Sequence, residues 1–179
     1  IIKQNIIGVK SLSNERLLDE LKKLVLSKNF LKIIKDEFCI EIISLIFPQL
    51  KNISFFKNIN KYAIENFSSK DFIFILSLMI IDESDNAEYF LYKFNVSNQA
   101  KKRIKFLNNI FSKPLEKSTF SEKNLWKILY ENNNDYLDEM INFYLFKSRK
   151  IDNKLINLKK FFKSQNKPEF PVKAKQLIE

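Results

Sequence analysis

The chain has 179 residues, 45% of them hydrophobic, which is enough for one real core or for two small ones sharing an elongated body. A single glycine, Gly8, and four prolines supply too few turn residues for hairpins and multi-stranded sheets, so the predicted fold class is all-α, an irregular helical bundle. The net charge of +10 favours a polyanionic partner, while the absence of histidine excludes His-ligated metals, histidine acid–base chemistry and Ser-His triads.

In chain order, the first helix signal is Leu12-Ser-Asn-Glu-Arg-Leu-Leu-Asp-Glu-Leu-Lys-Lys-Leu24. Ser13 is placed to cap it, Glu15 and Asp19 put negative charge near the positive end of the dipole, and Leu17, Leu18, Leu21, Leu24 and Val25 recur at helical spacing. Arg16 has Glu20 four residues on, the spacing of a surface ion pair. Phe30 to Phe38 and Cys39 to Phe47 read as short buried helices, stopped by Pro48. Cys39, the one cysteine, sits among Phe38, Ile40, Ile42 and Ile43 and reads as a small buried hydrophobe in a reducing compartment.

A loop through Leu50 to Phe55 leads to an amphipathic helix near Lys57 to Phe67. Ser68-Ser-Lys-Asp71 resembles a capping box opening the apolar helix Phe72 to Asp82, which is hydrophobic nearly all round and should lie at the centre of the core. That run is too short to span a bilayer, so the expectation is a soluble, cytoplasmic chain; its start at Ile1 suggests a piece of a longer protein. Asp85 to Phe94 forms another helix, and Ser97 caps a basic one holding Lys101, Lys102, Arg103 and Lys105, with Ile104, Leu107, Ile110 and Phe111 on its buried side. Pro114 breaks the pattern. Ser121 caps Glu122 to Glu131, an Asn-rich turn hands over to Asp135 to Lys147, and a last helix runs from Ile151 to Ser164.

Lys101, Lys102, Arg103 and Lys105 fall within little more than one helical turn, and a second set, Lys147, Arg149, Lys150, Lys154, Lys159, Lys160 and Lys163, leads toward the C-terminal segment. Such clusters can anchor phosphates without reading sequence, although an AT-rich coding bias also enriches lysine on any solvated face. Tyr62, Tyr89, Tyr92, Trp126, Tyr130, Tyr136 and Tyr144 are candidates for stacking on unpaired bases; helical spacing assigns most of them to the core, and Tyr92 beside Lys93 stands out. The acidic pairs Asp36-Glu37, Asp82-Glu83 and Asp138-Glu139 are adjacent on helices, so they cannot face one metal as alternate residues of a strand do.

Four segments resemble, in order, the class II tRNA nucleotidyltransferase and bacterial poly(A) polymerase family. Leu12 to Leu24 is similar to that family's neck motif, Leu-Ser-x-Glu-Arg-Ile/Leu-x-x-Glu-Leu-x-Lys-Leu. Phe47-Pro48-Gln49-Leu50 resembles its Leu-Pro-x-Leu element, and Asn95-Val-Ser-Asn-Gln-Ala-Lys-Lys-Arg-Ile104 its Leu-Ser-Asn-x-x-Lys/Arg-Lys/Arg stretch. Phe170-Pro-Val-Lys-Ala-Lys-Gln-Leu-Ile178 is similar to the tail motif Phe-Pro-Val/Ile-x-Gly-x-x-Leu-Ile, with Ala174 in place of glycine. The Gly-Ser pair, Asp-x-Asp metal site and Glu-Asp-x-x-Arg nucleotide template of the family's catalytic head have no counterpart here.

The resemblance therefore implies the end of a neck over 1–29, a helical body over 30–147 and the start of a tail over 148–179. It implies part of an enzyme that adds CCA to tRNA 3′ ends from CTP and ATP, with Mg²⁺ on an absent head, no catalytic residue in this chain and no activity of its own. Ser13, Glu15, Arg16 and Glu20 would buttress the nucleotide-selecting turn, and Lys101, Lys102, Arg103, Lys105, Arg149, Lys150, Lys159 and Lys160 would contact tRNA. The alternatives are the poly(A) polymerase branch and a stand-alone helical RNA-binding or protein-interaction module.

Overall fold

The computed structural model describes residues 8–9 and 12–168, so the tail-like segment Phe170–Ile178 lies outside the described residues. Among the described residues the chain is all-α, with no strand. The helices are α1 (Asn14–Val25), α2 (Phe30–Ile33), α3 (Glu37–Ile46), α4 (Lys61–Asn66), α5 (Phe72–Ile80), α6 (Asn86–Phe94), α7 (Asn98–Phe111), α8 (Glu122–Glu131), α9 (Asn134–Lys147) and α10 (Asn153–Lys163). Short 3-10 turns at Ile53–Asn58 and Phe67–Ser69 flank α4. No helix among the described residues is long and apolar enough to cross a membrane.

The chain divides into two compact units, one drawn from Ile1–Leu115 and Phe143–Ile151, the other from Glu116–Asn142 and Asp152–Glu179. In the first, α5 is the centre, in contact with α1, α6 and α7. Its residues from Phe74 to Ile80 are all buried, as an apolar surface without a polar face requires. Phenylalanines fill the spaces around it: Phe74 meets Phe146 edge-on at 5.1 Å, Phe111 lies 4.4 Å from Phe143, and Phe90 lies 4.5 Å from Phe94. Helix α1 buries Leu17, Leu21 and Val25, the stripe its spacing predicts. The second unit buries Leu125, Leu129, Leu137, Met140, Leu155 and Phe162, with Trp126 edge-on to Phe162 at 5.0 Å.

Several local expectations are corrected. The break between α2 and α3 falls earlier than residue 38, because the Asp36 carboxylate accepts the Phe38 and Cys39 N–H groups and starts α3 at Glu37. This leaves Phe38 exposed and Cys39 only partly buried. The segment after Leu50 is a 3-10 turn where a loop was expected, and the following helix begins at Lys61, capped by Asn60, whose side chain accepts the Ala63 N–H at 2.8 Å. Ahead of α5 the cap is Asp71 itself, accepting the Phe74 N–H at 2.9 Å, and not Ser68 with Asp71 as its return partner. Helix α10 starts at Asn153, capped by Asp152.

Helix C-termini show how a chain with one glycine ends its helices. Asn52 donates its backbone N–H to Met79 O at 2.9 Å and its side-chain amide to Ile81 O at 2.7 Å, while the buried Asn86 amide donates to Ile80 O and Gln49 O. Asn60 donates to the carbonyls of Leu145 and Ser148, each at 2.7 Å, where α9 ends. Orphan carbonyls that a glycine-containing C-cap would satisfy are satisfied here by asparagine amides, those of Asn52 and Asn60 from distant parts of the chain.

Candidate nucleic-acid interface

The basic surface of the first unit is built where α6 hands over to α7. Helix α6 buries Asn86, Ala87, Phe90, Leu91 and Phe94, which turns Tyr89 and Tyr92, three residues apart, outward on one face. Their exposures are 53% and 86%, and Tyr92 is the most exposed large hydrophobic residue among the described residues. Asn95 then takes the left-handed conformation at φ 41, a position an asparagine tolerates better than most residues, and ends the helix. Asn14 supports the same end by donating its amide to Lys93 O at 3.0 Å.

Ser97 caps α7 as its sequence position predicts, its hydroxyl accepting the Ala100 N–H at 3.3 Å. The helix buries Ala100, Ile104, Leu107 and Asn108, so helical periodicity carries Lys102 and Lys105 to the solvent-facing side, with the half-buried Lys101 at its edge. Lys101 Nζ reaches back to Asn95 Oδ1 at 3.4 Å, joining this lysine strip to the tyrosine end of α6. Among the described residues none of the three lysines makes an ion pair with a carboxylate.

Arg103 points the other way. Its guanidinium holds Asp71 as a two-pronged fork, at 2.6 Å and 3.0 Å, so its charge is engaged in joining α7 to the start of α5. Partial burial pushes the Asp71 carboxyl up, but the Arg103 fork, the Phe74 N–H and the charges of Arg103 and Lys70 together hold it below the ordinary carboxylate range.

The remaining predicted residues distribute as follows. Ser13 caps α1, accepting the Arg16 N–H at 3.3 Å, and Glu15, Arg16 and Glu20 are exposed along it. The expected Arg16–Glu20 ion pair gives way to Glu20 with Lys23 at 2.8 Å, which lowers the Glu20 pKa chiefly through that hydrogen bond. Arg149 and Lys150 are exposed in the last segment of the first unit. Lys147, near the end of α9, lies 5.3 Å from the Phe143 ring, and desolvation there lowers its pKa against the opposing charges of Asp82 and Glu83. In the second unit Lys159 lies half-buried against Asp138 at 3.4 Å and Asn142 Oδ1 at 2.9 Å, while Lys160 is exposed.

Of the aromatic candidates, Tyr62 is edge-on to Phe146 at 6.1 Å and Trp126 packs on Phe161 and Phe162, so both serve packing. Tyr136 and Tyr144 are partly buried, and Tyr130 is 42% exposed in the second unit. The described residues bring together no group of three or more His, Cys, Asp or Glu side chains suited to a metal ion. No family model, curated protein or solved structure matches the chain.

Proposed function

We propose that this chain docks RNA through the outer face of α7, and that it does so as the neck, body and beginning of the tail of a tRNA nucleotidyltransferase whose catalytic head is not in this sequence. The observation that carries the docking is the strip of Lys101, Lys102 and Lys105, turned to one side of the helix and without carboxylate partners among the described residues. Ammonium groups without carboxylate partners at this spacing attract phosphates and release condensed counterions when they bind, which positions an RNA backbone without selecting its bases. The lysine point charge suits a shape-read tRNA acceptor arm. The finer assignment rests on the order of the sequence motifs, with CTP and ATP as substrates and Mg²⁺ supplied on the head.

The test replaces Lys101, Lys102 and Lys105 together with Gln and measures tRNA binding across a salt series. Its control replaces Lys28, Lys35 and Lys51, which are exposed and carry the same total charge. The expected result is weaker binding for the α7 variant, with a salt slope reduced by up to about one unit per lost phosphate contact, and little change for the control. Equal losses from both variants would show that total charge alone binds RNA, and would overturn the docking face. The enzyme assignment is tested separately, by reading the coding sequence upstream of Ile1 for Asp-x-Asp and Glu-Asp-x-x-Arg; an unrelated upstream domain would end it.

A further inference from the structure

A docking face made only of lysines would serve a duplex and a single strand alike, and it would not account for Tyr89 and Tyr92. Both rings stand on the face of α6 opposite its buried stripe, and Tyr92 leaves 86% of its surface in water. Its phenolic tip does not explain this, since a tyrosine on an amphipathic helix ordinarily lays its ring against neighbouring apolar surface. Three residues after Tyr92, Asn95 turns the chain and receives the Lys101 ammonium at 3.4 Å, so the aromatic pair and the lysine strip adjoin at one corner of the first unit. Glu88, exposed on the N-terminal side of both tyrosines, repels phosphate there and leaves the α7 side as the favourable way for a polyanion to run.

We infer that Tyr92, with Tyr89 beside it, is a stacking platform for the unpaired bases of a single-stranded RNA end whose phosphates lie along Lys101, Lys102 and Lys105. This rests on the docking face proposed above and adds its ligand class. In a duplex the base faces are already stacked, so an exposed tyrosine gains nothing from them. An unpaired end offers bare π-faces next to regularly spaced charges, and stacking of this kind tolerates any base. Aromatic ring and ammonium act on different parts of one nucleotide, so their contributions can be separated experimentally.

The experiment compares Tyr92→Ala, Tyr92→Phe and the triple lysine-to-glutamine variant on three probes: oligo(A) of about 12 nucleotides, the same backbone made abasic, and a blunt RNA hairpin. Tyr92→Ala should weaken oligo(A) binding by about 5- to 150-fold, the range of one lost base stack, and leave the abasic strand, the hairpin and the salt slope unchanged. Tyr92→Phe keeps the ring and should bind oligo(A) within about twofold of the parent. The lysine variant should weaken all three probes and flatten the salt slope.

If Tyr92→Ala binds oligo(A) like the parent while the lysine variant does not, the platform is refuted and the docking face stands. If Tyr92→Phe loses as much as Tyr92→Ala, the hydroxyl and not the ring makes the contact, and the stacking assignment fails. Unchanged binding by the lysine variant removes the docking face and the inference with it. Because Tyr92 buries almost nothing, the alanine variant should keep the parent's thermal melt, and a large shift in that melt would itself contradict the exposed placement from which the platform is argued.

Discussion

Helices α5 and α7 pack against each other in the first unit and treat water in opposite ways. Along α5 nearly every side chain is buried; its one hydroxyl, Ser77, donates back to Ile73 O at 2.8 Å, and asparagine amides satisfy the carbonyls at its end. Helix α7 buries a single stripe, flanks it with half-buried residues such as Arg103 and Phe106, and gives its exposed face to lysine, asparagine and glutamine. Isoleucine, phenylalanine, lysine and asparagine are the residues that an AT-rich coding bias supplies, and both helices draw on them. The difference teaches that the order in which the chain lays out such residues decides their fate: an unbroken apolar run is buried all round, whereas apolar residues at helical spacing among lysines bury one stripe and leave a charged face. On α7 it also shows which charges are committed, since Arg103 is tied to Asp71 while Lys101, Lys102 and Lys105 have no acidic partner among the described residues.

The contrast is broken most directly at Leu76, which is fully buried on α5. Leu76→Ala should destabilise by about 2–5 kcal/mol in urea unfolding followed by circular dichroism, and a loss under about 1 kcal/mol would mean that α5 is not the centre of the core. Asn86→Ala comes next. It leaves the Ile80 and Gln49 carbonyls without the amide that now reaches both, and should cost about 1–3 kcal/mol by the same measurement.

Asp71→Asn removes the charge that joins the two helices while keeping an oxygen for the Phe74 N–H. The pair is partly solvated, so the loss near neutral pH should be no more than about 1 kcal/mol. The sign of its pH dependence follows from the lowered folded pKa. Unfolded Asp71, with its ordinary value of 3.8, takes up a proton before the folded carboxylate does. The charge therefore stabilises fully above that value, and its contribution is lost as pH falls through the lower folded one. Parent and variant should accordingly converge in stability in acid, and a gap that widens below about pH 4 would contradict the Arg103 fork. The smallest effect is expected from the triple α7 lysine variant, whose stability should stay within about 0.5 kcal/mol of the parent even as RNA binding falls. A larger loss would show those lysines to be structural.

Much of the helical architecture was legible because its rules are local. The caps at Ser13, Ser97 and Ser121 act within three residues, and the buried stripe of α1 repeats within four. The apolar run of α5 could only be buried, whatever surrounded it. Where local signals compete the structure departs from the sequence expectation: the Asp36 carboxylate starts α3 at Glu37, ahead of Cys39, and Asp71 rather than Ser68 caps α5. In the same way Glu20 had two cations within one turn and is paired with Lys23, leaving Arg16 without it.

What the amino-acid sequence determined alone is therefore the all-α class, most of the helix starts and the presence of a lysine-rich turn after Ser97. Only the tertiary structure decided which of those cations are committed. Arg103 finds Asp71 across 32 residues, and Asn60 reaches the end of α9 across more than twice that separation. It also decided that Tyr92 is bare, since periodicity alone places a helical tyrosine as readily in a core as in water. The physical reason is the range of the forces concerned. Helical periodicity and capping act over three or four residues and are written in the sequence, whereas burial and long-range pairing depend on which surfaces the packed chain brings together.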